Sequence, residues 1–368
     1  MKQIYRQRQS ARPAPHAGEP TSGPLTPEEL QLAARNHSMP LEALRRDITP
    51  PGLHYVLTHF DIPDIDAASW HLQVKGAVER SLELSLAALK KDPAISIPVT
   101  LECAGNGRSL LKPRPLSQPW ILEAVGTAEW TGVPLAYLLA KAGVLPDAVE
   151  VVFTGADDGI QGGVRQRYAR SLPIREAMRP DVVLAYRMNG SELPPQHGYP
   201  LRLVVPGWYG MTSVKWLESI DVVTVPFTGY QQQPAYRYQD SADDAGTPVS
   251  RIRIRSLMVP PGIPDFFTRN RVLPRGPVML TGRAWSGHGA VTRVEVGIDG
   301  KWATAQLEKP AGPFAWCKWT LPWVADPGEH ELACRATDAT GATQPLGQNW
   351  NYQGMGNNLV QRVRVTVD

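Results

Sequence analysis

Cysteine is scarce. The 368 residues hold three, at 103, 317 and 334, too few and odd in number for a disulfide framework. None falls in a CxxC, CxxCH or HxxxH pattern, which argues against a closed structural zinc site and against covalent c-type haem. A small odd count suits a reducing compartment. Long apolar runs are also missing: no stretch approaches the 18 residues of a membrane-spanning helix, so no span is expected. Charge excess is missing too. The 38 Lys and Arg against 35 Asp and Glu leave a net +3, so nothing in bulk points to nucleic acid or a membrane surface. The N-terminal MKQIYRQRQSARPAPH carries Lys2, Arg6, Arg8 and Arg12 with no apolar segment after them. It is neither a secretory signal nor a twin-arginine leader. Residues 1–24 are therefore expected to be a disordered basic arm, and the expected location is cytoplasmic, or periplasmic if the start codon lies elsewhere.

Proline (35), glycine (32) and tryptophan (11) are plentiful, and 42% of the residues are hydrophobic. The chain reads as loop-rich, strand-rich and long enough for two domains. In LTPEELQLAARN (25–36), Thr26, Pro27 and Glu28–Glu29 mark a helix start. HLQVKGAVE (71–79), IPVTLEC (97–103), VEVVFTG (149–155) and YPLRLVVPG (199–207) read as strands. LELSLAALKKDP (82–93) has helical spacing, and VPLAYLLAKAG (133–143) reads as a helix capped by Gly143. Short strands and helices without a regular βαβ rhythm favour an α+β domain over 25–245. From about 246 to 368 the pattern is strands only. Runs at 251–261, 278–286, 292–307, 314–321, 330–341 and 361–368 alternate with turn signals, Asp299-Gly300 marking a hairpin. That composition predicts an all-β, immunoglobulin-like sandwich. Cys317 and Cys334 fall in it and are expected to be core thiols.

Cys103 stands apart. In LECAGNGRSLL (101–111) it ends a β-type run and precedes Gly105, Gly107 and Arg108. Glycines permit φ > 0 and close approach to a ligand. A fixed cation nearby favours the thiolate, the form that binds metals or attacks. Chemistry alone leaves several roles open. Cys103 could be a buried small hydrophobe, a hydrolase nucleophile with His197 or His37 as base, a zinc ligand, half of a redox disulfide, or a soft-metal ligand whose other donors come from a cofactor.

LECAGNGRS resembles the molybdenum-ligand motif of the sulfite oxidase family of molybdopterin enzymes. RNH (35–37), HGYPLRLVVPGWYGMTSVKWLESI (197–220) and QNWNYQGMGNN (348–358) are similar to further family motifs in the family's order. The resemblance spans about 25–368. It implies a molybdopterin-binding catalytic domain followed by an immunoglobulin-like dimerisation domain. It further implies oxygen-atom transfer, most simply sulfite oxidised to sulfate, with electrons passed to a separate acceptor such as a cytochrome, and no haem in this chain. By the same resemblance Cys103 is the protein thiolate to molybdenum. Arg35, Arg108 and Tyr236 line the oxyanion pocket, and Asn36, His37, His197, Arg202, Ser213 and Lys215 hold the cofactor. Asp157, beside Asp158, is the acidic partner of the pterin ring. Two departures bear on the substrate: Gln353 and Thr212 stand where family members carry arginine. Nitrate or S-oxide reduction on the same scaffold, or a non-catalytic binding role, are the alternatives. A homodimer through the second domain is expected.

Overall fold

The computed structural model describes residues 19–368. Residues 1–18 of the expected basic arm lie outside the described residues. The remainder of that arm is not free. Thr21 and Arg114 exchange backbone hydrogen bonds of 2.9 and 2.8 Å, and the Arg114 guanidinium donates to the carbonyls of Gly23 and Pro24 and pairs with Glu29. The buried cation needs acceptors, and it draws this segment onto the body.

Helix α1 (Pro27–Arg35) starts in a capping box between Thr26 and Glu29, as its sequence predicts. Two sheets then form the first domain. One has β1 (His71–Gly76) and β2 (Leu82–Ser85) beside β10 (Leu217–Val223), followed by β5 (Glu150–Gln161) and β6 (Val164–Pro173), in the order β2-β1-β10-β5-β6. The other has β3 (Ile95–Glu102), β4 (Val125–Pro134), β7 (Val183–Met188) and β8 (Ser191–Glu192), with β9 (Arg202–Val204) also on β7. Every pairing is antiparallel except β1 with β10. The helices α2 (Leu86–Leu89), α3 (Leu135–Ala142) and α4 (Ile174–Ala177) are short. Leu72, Leu89, Leu138, Leu139, Phe153 and Ile220 meet in the core between them.

Two sequence expectations need correction. The helix expected over 82–93 is a strand for its first half. Leu82 and Leu84 pair with β1, and only then does Ser85 cap the one-turn α2. In a short run, leucines at 82, 84, 86 and 89 satisfy both periods. The strand expected over 199–207 shrinks to Arg202–Val204, because Pro200 and Pro206 cannot donate to a ladder.

The second domain is a sandwich. A four-stranded sheet (Arg255–Met258, Gly276–Trp285, Cys317–Ala325, Gln306–Leu307) faces a six-stranded one. The latter includes Val291–Ile298, Lys301–Thr304, Gly328–Asp338 and Gln361–Val367. Asp299 and Gly300, with φ of 50° and 80°, turn the predicted hairpin. Cys317 and Cys334 are free thiols in this core. A further core joins the two domains: Met39, Tyr209, Met211 and Tyr236 pack with Ile252, Leu257, Trp285, Trp316 and Met355. No helix among the described residues is long and apolar enough to cross a membrane.

Candidate active site

Strand β3 has two working faces, because successive side chains alternate. Leu101 and Cys103 point into a cleft. Glu102 points the other way, into the second domain. Its carboxylate accepts from Arg255 at 2.5 Å, from the Trp285 indole at 2.7 Å and from Asn106 at 3.0 Å. After Cys103 the chain turns sharply, with Asn106 N–H donating to the Cys103 carbonyl and Arg108 N–H to that of Gly105. The two glycines serve different ends. Gly107 takes φ +87°. Gly105 makes room for the Arg108 guanidinium, which a Cβ there would meet at 2.7 Å. The C-terminal segment closes over the turn: Asn357 donates to the Gly107 carbonyl at 2.7 Å, and Arg108 donates to the Gln353 carbonyl at 3.1 Å.

Cys103 is 6% exposed. Burial pushes its thiol above the ordinary value, with Arg108 pulling the other way. The expected lowering of the thiol by Arg108 and the glycines is therefore reversed, because desolvation outweighs one cation. Stable thiolate at this position needs a further positive centre, such as a metal.

Of the residues singled out from sequence, Cys103, Asp157, His197, Arg202, Ser213 and Lys215 line the cleft together. Arg202 donates to the carbonyls of His197 (3.0 Å) and Ser213 (3.2 Å) and lies 4.7 Å from the Trp130 ring centroid. Burial lowers it to about 10. Lys215 donates to the Gln196 carbonyl at 2.9 Å. It is lowered to about 7, by burial and then by Arg202, against the pull of Asp157. Asp157 is raised to about 6 by burial, whereas Asp158 pairs with Arg165 outside the cleft. His197, 2% exposed, donates its Nε2–H to the Pro51 carbonyl at 3.2 Å and is lowered to about 2 by burial, His54 and Arg202.

Arg108 is buried behind Cys103, its guanidinium donating to the Gln118 and Gln353 carbonyls and to the Met355 sulfur. Tyr236 is also buried and adopts φ +59°, a strained position for a non-glycine residue. Its hydroxyl lies 2.7 Å from His59 Nε2. The triplet 35–37 is not brought to the cleft. Arg35 pairs with Asp61 and the Phe60 carbonyl. Asn36 is buried and ties Thr58 N–H (2.7 Å) to Gln118 (2.9 Å). His37 is exposed and bridges Val56 through its backbone. Their place at the cleft is taken by HYVLTH (54–59), with His54, Tyr55 and His59 lining it. Sequence reasoning missed these residues, together with Tyr168. The available signal was the pair of histidines five apart around Tyr55.

The two departures also resolve structurally. The Gln353 side chain donates to the Pro234 carbonyl at 3.0 Å and to Gln239, and accepts from Arg237 N–H. It therefore braces the loop that carries Tyr236 and does not line the cleft. Thr212 is fully buried, its hydroxyl 3.8 Å from the Met211 sulfur.

Among the described residues no group of three His, Cys, Asp or Glu side chains could hold a metal alone. A metal at Cys103 would need most of its donors from a cofactor. The cleft fits one. It has a single thiol at one end, a buried His54 Nε2 without a partner, an acid at Asp157, and Arg202 and Lys215 free of carboxylate partners to receive a phosphate.

Comparison with known proteins agrees. Residues 59–231 match the oxidoreductase molybdopterin binding domain, and residues 248–368 match the Mo-co oxidoreductase dimerisation domain. The first match begins at His59 and so leaves out residues 35–37. The chain is 35% identical over 365 residues to an NADH nitrate reductase of Cichorium intybus, covering 90% of this chain and 40% of that protein. It is 34% identical over 352 residues to NADH nitrate reductase 1 of Arabidopsis thaliana, covering 87% and 38%. It thus spans about two fifths of the length of these curated relatives. The sulfane dehydrogenase SoxCD of Paracoccus pantotrophus superposes with a TM-score of 0.78 at 26% identity, over 98% of this chain and 97% of that one. The chain belongs to the sulfite-oxidase-type family of molybdopterin oxidoreductases, with the catalytic domain and the dimerisation domain both present.

Proposed function

We propose that this chain oxidises sulfite to sulfate at the Cys103 end of the cleft and passes the electrons to a separate acceptor. The balance is sulfite plus water giving sulfate, two protons and two electrons. The observation that carries this reading is the buried Arg108 guanidinium near Cys103, together with the buried Tyr236 hydroxyl 2.7 Å from His59 Nε2 at the cleft. Bound molybdopterin, with Cys103 as protein thiolate, would supply the two-electron oxygen-atom exchange. His197, Arg202, Ser213 and Lys215 would hold its phosphate side, and Asp157 its ring. Asn36 acts at one remove, by fixing Thr58 beside His59. Arg108 supplies positive charge for the oxyanion. Burial, and then Cys103, keep the Tyr236 phenol above its ordinary value, so it remains a hydrogen-bond donor. His59 is held neutral at about 4 by burial, Lys215 and Arg108, and its Nε2, 2.7 Å from the Tyr236 hydroxyl, orients that hydroxyl. Arg35 is 43% exposed and paired with Asp61, which leaves it no direct part.

Nitrate reduction is the second reading, favoured by the nitrate reductases among the relatives. Turnover of metal-loaded protein separates the two. Sulfite should drive reduction of an artificial one-electron acceptor at least tenfold faster per site than nitrate drives oxidation of a reduced dye. The opposite order would replace the sulfite reading with the nitrate one. The acceptor is proposed to be a soluble redox protein, and the second domain to join two copies of the chain. Sedimentation should then give twice the 40.4 kDa chain mass, and a 40 kDa species at micromolar concentration would contradict the dimer.

A further inference from the structure

Buried arginines elsewhere in this protein are compensated: Arg114 has Glu29, Arg255 has Glu102 and Arg283 has Asp47, while Arg271 donates to the three carbonyls of Pro260, Pro261 and Gly262. In and behind the cleft, Arg202, Arg108 and Arg170 are equally buried, and among the described residues none of them has a carboxylate partner. An uncompensated buried cation is costly, so such cations mark where an anion binds. Arg202 is accounted for by the cofactor and Arg108 by the substrate pocket. Arg170 is left over.

Arg170 lies on β6 two residues after Tyr168, so both side chains leave the same face of the strand. Tyr168 lines the cleft, and its hydroxyl donates to the Met211 carbonyl at 2.7 Å. Arg170 is 2% exposed, and its guanidinium carbon stands 5.6 Å from the centroid of the Tyr236 ring. One nitrogen donates to the Gln231 carbonyl. Nε has no partner. Anchoring the 231–236 loop needs only a neutral donor to that carbonyl, so the loop explains the hydrogen bond and not the charge. The charge sits under the tyrosine whose hydroxyl meets His59.

We propose that Arg170 is the second cation of the oxyanion pocket, a specificity residue that acts from beneath Tyr236 and favours a dianion such as sulfite or sulfate over a monoanion such as nitrate. The inference rests on the oxyanion reading of the cleft given above. Arg170 does not line the cleft, so its effect reaches the anion through its field and through the placement of the Tyr236 hydroxyl.

The test uses full-length metal-loaded wild type, Arg170→Gln and Arg170→Lys, with Arg170→Met as a second neutral variant should the glutamine protein not fold. Glutamine keeps a donor for the Gln231 carbonyl and removes the charge. Metal content and the thiolate-to-metal absorption band report the cofactor. Sulfate, which does not turn over, is titrated against that band, and sulfite KM and kcat are measured separately. The neutral variant should keep metal and band, bind sulfate about tenfold more weakly and raise the sulfite KM by a similar factor. Its kcat should change less, nitrate affinity should fall less than sulfate affinity, and lysine should restore most of the loss. Unchanged sulfate affinity in a metal-replete neutral variant would overturn the assignment. So would equal defects in the lysine and neutral variants, since shape rather than charge would then be at work. If wild type never oxidises sulfite but sulfate binding still weakens in the neutral variant, the sulfite reading falls and Arg170 keeps its role. If sulfite is oxidised with the same KM in both, the reverse holds.

Discussion

His54, His59 and His197 surround the cleft and are all held neutral by burial, at about 4, 4 and 2. Below the ordinary value of 6.5 the unfolded chain takes up protons that the folded one refuses. Stability is therefore full above about pH 6.5 and is lost as pH falls through it. At pH 6 each histidine costs about 0.8 kcal/mol. Asp157, raised to about 6, works in the opposite sense and returns about 0.4 kcal/mol there, whereas Lys215, lowered to about 7, adds a cost of about 0.8 kcal/mol between pH 7.5 and pH 6.0, so the histidines and the lysine win. The urea midpoint of metal-free protein should drop between pH 7.5 and pH 6.0, by the equivalent of about 3 kcal/mol; a constant or rising midpoint would mean that these groups are not buried neutral. Cys103, Asp157, His197, Arg202 and Lys215, singled out from sequence, meet at one cleft, and each sits in a run whose neighbours are also constrained. The triplet Arg35-Asn36-His37 does not line that cleft, and three letters carry little information about where a segment packs. What puts HYVLTH in the cleft is the packing of an irregular segment, which has no period to read.

Strand β3 connects the two domains mechanically. Its even face delivers Glu102 to Arg255 and Trp285, and its odd face delivers Cys103 to the cleft. Removing one partner of a buried ion pair strands the other. Arg255→Met should therefore cost about 3–5 kcal/mol, whereas Arg255→Met with Glu102→Gln should cost less than the single change. Chemical denaturation of the two variants checks this, and a double variant worse than the single would contradict it. The metal-site absorption of the single variant should broaden as well, because Glu102 is bonded to Cys103 through one peptide. β3, α1 and α3 could be read from the sequence by a clear period and clear caps. β4, β6 and β7 could not. β7, VLAYRM, is buried at all but one position, so it lacks the alternation that marks a half-exposed strand. The 82–93 segment carried both periods at once, and pairing with β1 decided between them.

The two-domain division was readable from composition, since helices stop where the turn-punctuated strands begin. The core between the domains was not. Its members, from Met39 to Met355, are scattered over more than 300 positions and are brought together by the fold alone. With the Glu102 clamp and the 351–358 segment over the Cys103 turn, that core makes the second domain a support of the candidate active site as well as a candidate dimer surface. The central claim is that Cys103 holds a metal whose redox state sulfite changes. Anaerobic stopped-flow mixing of metal-loaded wild type and Cys103→Ser with sulfite tests it most directly. The account predicts a thiolate-to-metal absorption band that sulfite bleaches in wild type and that the serine variant lacks. A serine variant that keeps the band would contradict Cys103 as the ligand, and a wild-type band unmoved by sulfite would contradict sulfite as the reductant of this site.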